Sequence, residues 1–96
     1  MKAAFITYNQ SHIEDVEEIL HQLSLRGFTR WPEVQGQGSK DGEPHLGTHA
    51  WPSMNMATLC IVDDNIAPIL KKMIQALDRQ TPKQGLRIFF WETIDV

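Results

Sequence analysis

The stretch "MATLCIVDDNIAPILKKMIQAL", residues 56–77, joins a dense apolar run to an amphipathic pattern, and these two features decide the fold. Residues 56–62 are mostly apolar and end at two aspartates, which is typical of a buried strand. Asp64 or Asn65 is expected to cap a helix, and Pro68 fits in its first turn, where the missing N–H is not needed. Apolar residues at helical spacing follow. They are Ile66, Ile69, Leu70, Met73, Ile74 and Leu77.

A similar pair of elements is predicted near the start of the chain. "KAAFITY", residues 2–8, is a short apolar run of strand character. Ser11 and Glu14 have the spacing of a capping box, which predicts a helix start. The apolar stripe of this helix comprises Ile13, Val16, Ile19, Leu20 and Leu23. Gly27 is expected to end the helix in a left-handed conformation.

Two further strands complete the pattern. "FTRWPEVQ", residues 28–35, predicts a strand that is bent or lies at a sheet edge, because Pro32 cannot donate a ladder hydrogen bond. "LRIFFWETI", residues 86–94, is rich in aromatic and β-branched residues and predicts the last strand. The order β-α-β-β-α-β predicts a single α+β domain over residues 1–96. This is the ferredoxin-like fold, with two helices on one face of a four-stranded antiparallel sheet.

A glycine-rich segment, residues 36–53, connects the second and third predicted strands. A hairpin closes in about two to five residues, so a connection of this length is typical of a functional or mobile loop. Gly36 and Gly38 can bring backbone N–H groups close to an anion, because glycine has no side chain and permits positive φ. The same glycines can instead simply let the chain turn away from the strand.

The second face of the predicted sheet has no helix to cover it. The last strand nevertheless carries apolar residues on both faces, so another copy of the chain is expected there. The expected interface residues are Trp31, Trp51, Phe89 and Trp91. Trp31 and Trp51 also flank the glycine-rich segment, and at the mouth of a loop such rings can alternatively stack on adenine or another flat ligand.

Composition excludes several classes of function. The formal net charge is −3 without a run of Lys or Arg, so neither nucleic acid nor an anionic membrane surface is an expected partner. We expect a cytoplasmic location without membrane insertion, because signal-peptide features and apolar stretches of membrane-spanning length are missing. Cys60 is the single cysteine, which fits a reducing compartment and a core position. No enzymatic activity is expected, because no nucleophile and base form a recognisable motif.

Two stretches resemble the PII-like signalling superfamily. "LSLRGFTRWPEVQGQGSKDG", residues 23–42, is similar to the helix end, the second strand and the glycine-spaced start of the long T-loop in that superfamily. "IVDDNIAPILKKMIQAL", residues 61–77, looks like the opening of its second helix. The resemblance implies a homotrimer with inward-packed sheets. It also implies a small effector, such as an adenine nucleotide or another anion, in the clefts between subunits and a T-loop that signals to a partner protein.

The resemblance further implies which residues contact the effector. One group forms the base and the first part of the T-loop, and the other group precedes or begins the last strand. The implied ligand-binding residues are Gly36, Gln37, Gly38, Lys40, Lys83, Gly85 and Arg87. The two groups are far apart in sequence, so the fold must bring them to one cleft.

The loop also contains metal donors, which support an alternative function. His45 and His49, with Glu43 nearby, place nitrogen and oxygen donors close together. A copper, zinc or nickel ion could bind them, as in a metal-binding module similar to the CutA-type proteins, which share this architecture. The segment is not expected to be helical, so these histidines could equally be solvated or lie at a subunit contact. His12 and His21 of the first helix are expected to be exposed.

Overall fold

The computed structural model describes residues 1–25, 27–36 and 54–94. Within these ranges the elements follow the predicted order, which confirms the ferredoxin-like fold. They are β1 (Lys2–Asn9), α1 (Ile13–Gln22), β2 (Phe28–Val34), β3 (Asn55–Val62), α2 (Ala67–Gln80) and β4 (Arg87–Glu92). Short 3₁₀ turns, Gln10–His12 and Pro82–Gln84, precede α1 and follow α2. Most of the predicted T-loop, residues 37–53, lies outside the described residues.

The strands form one antiparallel sheet in the order β2-β3-β1-β4. The central pair, β1 and β3, ends with Asn9 opposite Asn55. β2 lies at one edge, and its register with β3 shifts between Trp31 and Val34, around Pro32. Proline cannot donate to the ladder, so the predicted edge position and irregularity at Pro32 are confirmed.

The hydrophobic core lies between the sheet and the two helices. Ala4, Ile6 and Tyr8 of β1 are fully buried on this side because alternate residues of a strand share one face. The Tyr8 hydroxyl forms a hydrogen bond of 2.8 Å with that of Thr58, which satisfies a buried polar pair. Further buried members of this core are Val16, Leu20, Cys60, Val62, Leu70, Ile74 and Leu86. The core position predicted for Cys60 is therefore confirmed.

The left-handed residue that follows α1 is Ser24 and not the predicted Gly27. Ser24 has a φ of 57°, in the left-handed region. Its N–H donates to the carbonyl of His21 at 3.0 Å, while the Leu25 N–H donates to the carbonyl of Leu20 at 2.8 Å. These two bonds form a Schellman motif. Leu25 packs against the core, and this hydrophobic contact places the motif ahead of the glycine.

The start of α1 also differs from the prediction. The Oδ1 atom of Asn9 accepts a hydrogen bond of 2.8 Å from the Ser11 N–H, so Asn9 caps the 3₁₀ turn that runs into the helix. His12 directly precedes α1 and makes no capping bond through its side chain. The capping box predicted from Ser11 and Glu14 is wrong because the chain begins to wind before Ser11.

α2 begins without a side-chain cap, so the predicted capping role of Asp64 or Asn65 is wrong. A backbone turn replaces it: the carbonyl of Asp63 accepts hydrogen bonds from the N–H groups of Ile66, at 3.0 Å, and of the residue after it, at 3.2 Å. Pro68 lies in the first turn as predicted. Neither α1 nor α2, the helices in the part of the chain that the structure describes, is long and apolar enough to cross a membrane.

The opposite face of the sheet carries large apolar side chains, and neither α1 nor α2 covers it. The Phe5 ring lies against Trp31 and Trp91, with ring centroids 6.3 and 6.4 Å apart. Exposure is high for Trp31 at 42%, Trp91 at 49% and Phe89 at 55%. We define the helix-free face as Phe5, Trp31, Leu59, Ile61, Phe89 and Trp91. The apolar second face predicted from the last strand is confirmed.

Candidate functional site

Gly36 lies two residues beyond the end of β2, where the chain continues toward residue 37. Val34 pairs with Asn55 of β3, which places Gly36 close to the Asn55 side chain. A Cβ atom at Gly36 would lie only 2.5 Å from the Nδ2 atom of Asn55. The backbone at Gly36 therefore contacts the amide directly, and this contact leaves no room for a side chain.

Two buried amides lie at the same end of the sheet. Asn9 and Asn55 are paired across β1 and β3, and their exposed fractions are 4% and 5%. The Gln10 N–H donates to the carbonyl of Met54 at 2.9 Å, just outside this pair. Met54 is thus bonded to the end of β1 and Gly36 lies beside the Asn55 amide, on the two sides of the segment 37–53. The polar pair was missed in the sequence because Asn55 is a single polar residue at the first position of an apolar strand.

His12 is buried next to this region, so its predicted exposure is wrong. Its exposed fraction is 6%. The Nε2 atom lies 3.0 Å from the Thr81 hydroxyl, and the Nδ1 atom lies 3.6 Å from a carboxylate oxygen of Asp15. Because Thr81 follows α2, His12 ties the start of α1 to the end of α2. His21 is exposed, as predicted.

The second group of predicted ligand-binding residues, Lys83, Gly85 and Arg87, lies at the β4 edge of the sheet. Gly85 has left-handed backbone angles, φ 71° and ψ 32°, which a side chain would strain. Arg87 begins β4, where its Nη1 atom donates to the carbonyl of Leu86 at 2.8 Å and lies 3.3 Å from both carboxylate oxygens of Asp78. Lys83 lies in the 3₁₀ turn between α2 and Gly85. The guanidinium therefore has an internal partner.

Within one chain, the two groups do not meet. Gly36 extends β2 and Arg87 begins β4, so they lie on opposite edges of the sheet. Three inter-strand spacings separate those edges, which is a distance of about 14 Å. Arg87 pairs with Thr7, so both groups lie toward the same end of the sheet. One phosphate or bicarbonate group cannot contact both groups of the same chain.

A surface groove of about 560 Å³ lies elsewhere, between α1 and β2. Its lining residues are Glu14, Glu17, Glu18, Leu20, His21, Leu25 and Phe28. Glu17 forms an ion pair with Arg30 at 2.7 Å, and the Arg30 guanidinium lies over the Phe28 ring. The three glutamates make this groove unsuitable for an anion.

The remaining predicted residues lie outside the described part of the chain. They are Gln37, Gly38 and Lys40 of the ligand-binding group, His45, His49 and Glu43 of the metal group, and Trp51 of the interface. In the described ranges, no three His, Cys, Asp or Glu side chains lie close enough together to hold a metal ion. The metal hypothesis stays a prediction.

The arrangement of the strands and helices matches solved structures of CPII, a nitrogen regulatory PII-like protein from Thiomonas intermedia K12. For CPII bound to ADP, AMP and bicarbonate, the TM-score is 0.76 over 94% of this chain and 82% of that chain. This chain has the PII-like fold. The two sequences are 16% identical. For CPII bound to ADP and bicarbonate, the TM-score is 0.75 with 17% identity and the same coverage.

A second protein with the PII-like fold is also similar. It is a candidate PII-like signalling protein from Thermus thermophilus, with a TM-score of 0.67, 18% identity and coverage of 94% of this chain and 83% of that chain. No protein-family model and no curated protein sequence matches the chain. The similarity to these proteins therefore rests on the three-dimensional arrangement of the strands and helices.

Proposed function

We propose that this chain is a non-enzymatic PII-like regulator. It binds a small anionic effector, with an adenine nucleotide as the first candidate, in clefts between copies of itself. It then signals to a partner protein through the T-loop-like segment 36–53. The observation that carries the proposal is the PII-like fold, because CPII, which has this fold, is bound to ADP, AMP and bicarbonate in its solved structure.

The positions of the two candidate groups support a cleft between chains. Gly36 at one sheet edge and Arg87 at the other are too far apart to bind one small group within a chain. When two copies pack side by side, the β2 edge of one copy can lie next to the β4 edge of its neighbour. Gly36 then supplies a bare backbone, while Arg87 supplies positive charge for a phosphate.

The helix-free face supports assembly into a homotrimer. Trp31, Phe89 and Trp91 expose large aromatic surfaces on this face. A small domain gains substantial free energy when such surface is removed from water, and identical copies can bury it symmetrically. In the trimer, the three helix-free faces pack inward and the three pairs of edges form the effector clefts.

Signalling requires that the effector bind one state of the loop better than another. Gly36 lies so close to the Asn55 side chain that a Cβ atom would not fit, and the loop segment begins at this point. An effector bound at Gly36 therefore acts on the first peptide of the loop, where a local change in contacts can order or release the residues that follow. The ordered or released loop then selects the partner protein.

Isothermal titration of the full chain with ADP, AMP and bicarbonate, each alone and in combination, tests the proposal. Saturable binding of at least one adenine nucleotide is expected. The variant Arg87→Gln is expected to weaken that binding about tenfold, because a charged hydrogen-bond donor to phosphate is lost. Arg30→Gln is the matched control, since Arg30 pairs with Glu17 of α1 on the helix side of β2. Absence of binding for all three compounds would refute the proposed function.

A further inference from the structure

Asn55 occupies a central position at the base of the T-loop-like segment. It begins β3, faces Asn9 of β1 and is paired with Val34 of β2. Only 5% of its surface is exposed. A buried carboxamide resists displacement, because moving it would break its polar contacts and leave buried groups without hydrogen bonds. Asn55 is therefore a rigid feature that Gly36 must accommodate.

Gly36 is a glycine because of this neighbour and not because of its backbone angles. Its φ does not lie in the left-handed region, which among the described glycines is occupied by Gly85. Any residue could adopt the Gly36 conformation if space allowed. The obstacle is the Nδ2 atom of Asn55, which a Cβ atom would approach to 2.5 Å. The side chain of Asn55 thus determines where the Gly36 peptide can lie.

We propose that Asn55 is a positioning residue of the effector site. Its buried carboxamide holds the Gly36 peptide in place, so that the backbone at the start of the T-loop-like segment is presented to the anion. Asn55 itself does not touch the effector. This inference rests on the proposed function, since it assigns the element that sets the geometry of that same site.

Asn9 links Asn55 to the start of α1. It is paired with Asn55 across β1 and β3 and also accepts the Ser11 N–H at the start of the first 3₁₀ turn. The loop base is thereby connected to the start of α1 through two buried residues that are paired across the sheet. A change at Asn55 should consequently alter the site at Gly36 more than it alters the β4 edge, where Arg87 is held by Asp78.

A double-variant cycle measured by ADP titration of the full chain tests the inference. The variants are Gly36→Ala, Asn55→Ala and the combination of both. Gly27→Ala is the matched control, because a Cβ atom there would meet nothing within 4 Å. The oligomeric state and the melting temperature are recorded for every variant, so that a change in binding is distinguished from a folding defect.

Gly36→Ala is expected to weaken ADP binding about tenfold or more, and Asn55→Ala a few-fold, whereas Gly27→Ala leaves it unchanged. In the double variant, the added methyl group fits into the space of the missing amide. We therefore expect tighter ADP binding than with Gly36→Ala alone, although the second substitution also removes a native contact. Two substitutions that damaged the structure independently would weaken ADP binding further in the double variant. A recovery of ADP binding therefore indicates that Gly36 and Asn55 act on each other.

The possible outcomes separate the two proposals. If the unaltered chain binds none of ADP, AMP and bicarbonate, the proposed function fails and the positioning role fails with it. If the unaltered chain binds ADP but the two substitutions act as independent factors, or Asn55→Ala alone has no effect, the positioning role alone is refuted. Recovery of binding in the double variant, at an unchanged oligomeric state, supports it.

Discussion

The Nη1 atom of Arg87 lies 3.3 Å from each carboxylate oxygen of Asp78, across the gap between β4 and α2. Both side chains are partly exposed, at 37% and 29%. The guanidinium thus pairs with a carboxylate of its own chain. An anionic effector that uses Arg87 must share the guanidinium with Asp78 or displace it, so Asp78 is a competitor built into the candidate site.

Replacing this competitor should strengthen effector binding. Asp78→Asn keeps the shape of the side chain and removes its negative charge. We expect ADP to bind about two to five times more tightly, which corresponds to the small free energy of a partly exposed ion pair. Calorimetric titration of the variant and the unaltered chain at the same ionic strength measures this ratio.

Glu92→Gln is the control for the change in net charge. Glu92 is the last residue of β4, at the opposite end of the strand from Arg87, and it pairs with Lys2. The Glu92→Gln variant should leave ADP binding unchanged. If Asp78→Asn and Glu92→Gln strengthened ADP binding equally, the cause would be the change in net charge. That result would contradict a local competition between Asp78 and ADP for Arg87.

The helix-free face gives a second prediction, which concerns assembly. Phe89→Glu places a charge at the most exposed aromatic ring of that face. If identical copies bury this face, the charge would be desolvated without a partner, and the trimer should dissociate at micromolar concentration. Sedimentation velocity of the variant and the unaltered chain measures the change.

Ile69→Glu provides the matched control for assembly. Ile69 is 46% exposed on α2, on the opposite side of the sheet from Phe89. The Ile69→Glu variant, which makes the same change from an apolar to an acidic side chain, should have the sedimentation coefficient of the unaltered chain. A monomeric unaltered chain at tens of micromolar would show that copies do not cover the helix-free face.

The sequence predicts the fold well because strand and helix patterns depend on the repeated burial of apolar residues. Residues 56–62 and the stripe of α2 are recognised in this way. The ends of the helices are less predictable, since they depend on single contacts. Ser24 takes the left-handed position expected at Gly27 because packing of Leu25 outweighs the conformational preference of glycine.

The candidate site is less predictable than the fold. Glycine chemistry at the end of a predicted strand indicates Gly36 as part of an anion site, whereas Gly85 and Arg87 follow from the resemblance to the PII-like superfamily. Asn55 and Asp78 were missed, since their importance arises from tertiary contacts with those residues. A polar residue at the first position of an apolar strand and a carboxylate near the end of a helix carry no distinctive sequence pattern.

The left-handed Ser24 gives a third prediction, which concerns stability. A non-glycine residue with φ of 57° is strained by contact between its Cβ atom and the backbone, whereas glycine is not. Ser24→Gly should raise the free energy of unfolding by about 0.5–1 kcal/mol, since the relief of strain exceeds the greater entropy of glycine in the unfolded chain. Urea denaturation measures the difference.

Ser11→Gly is the control for this substitution. Ser11 lies in the 3₁₀ turn before α1, and its φ is not positive. There the added freedom of glycine brings no relief of strain, so a loss of a few tenths to about 1 kcal/mol is expected. If both variants lost stability, the conformational strain assigned to Ser24 would be absent.

The buried thiol of Cys60 gives a fourth prediction, which concerns reactivity. Desolvation by burial raises the pKa of Cys60, so the reactive thiolate is scarce in the folded protein. The side chain is also inaccessible, with 2% of its surface exposed. Reaction with a disulfide reagent at pH 8 should be on the order of 100-fold slower than in denaturant, because it requires local or global opening.

The same raised pKa predicts how stability depends on pH. Below the ordinary thiol pKa of about 8.5, both the folded and the unfolded chain keep the proton, and Cys60 contributes no pH dependence. Above it, the unfolded chain loses the proton first, so the free energy of unfolding should decline as the pH rises toward the folded pKa of Cys60. Cys60→Ala removes the titrating group, so its unfolding free energy should decline less between pH 8 and pH 9.5. Parallel curves for the two chains would contradict the buried thiol as the cause.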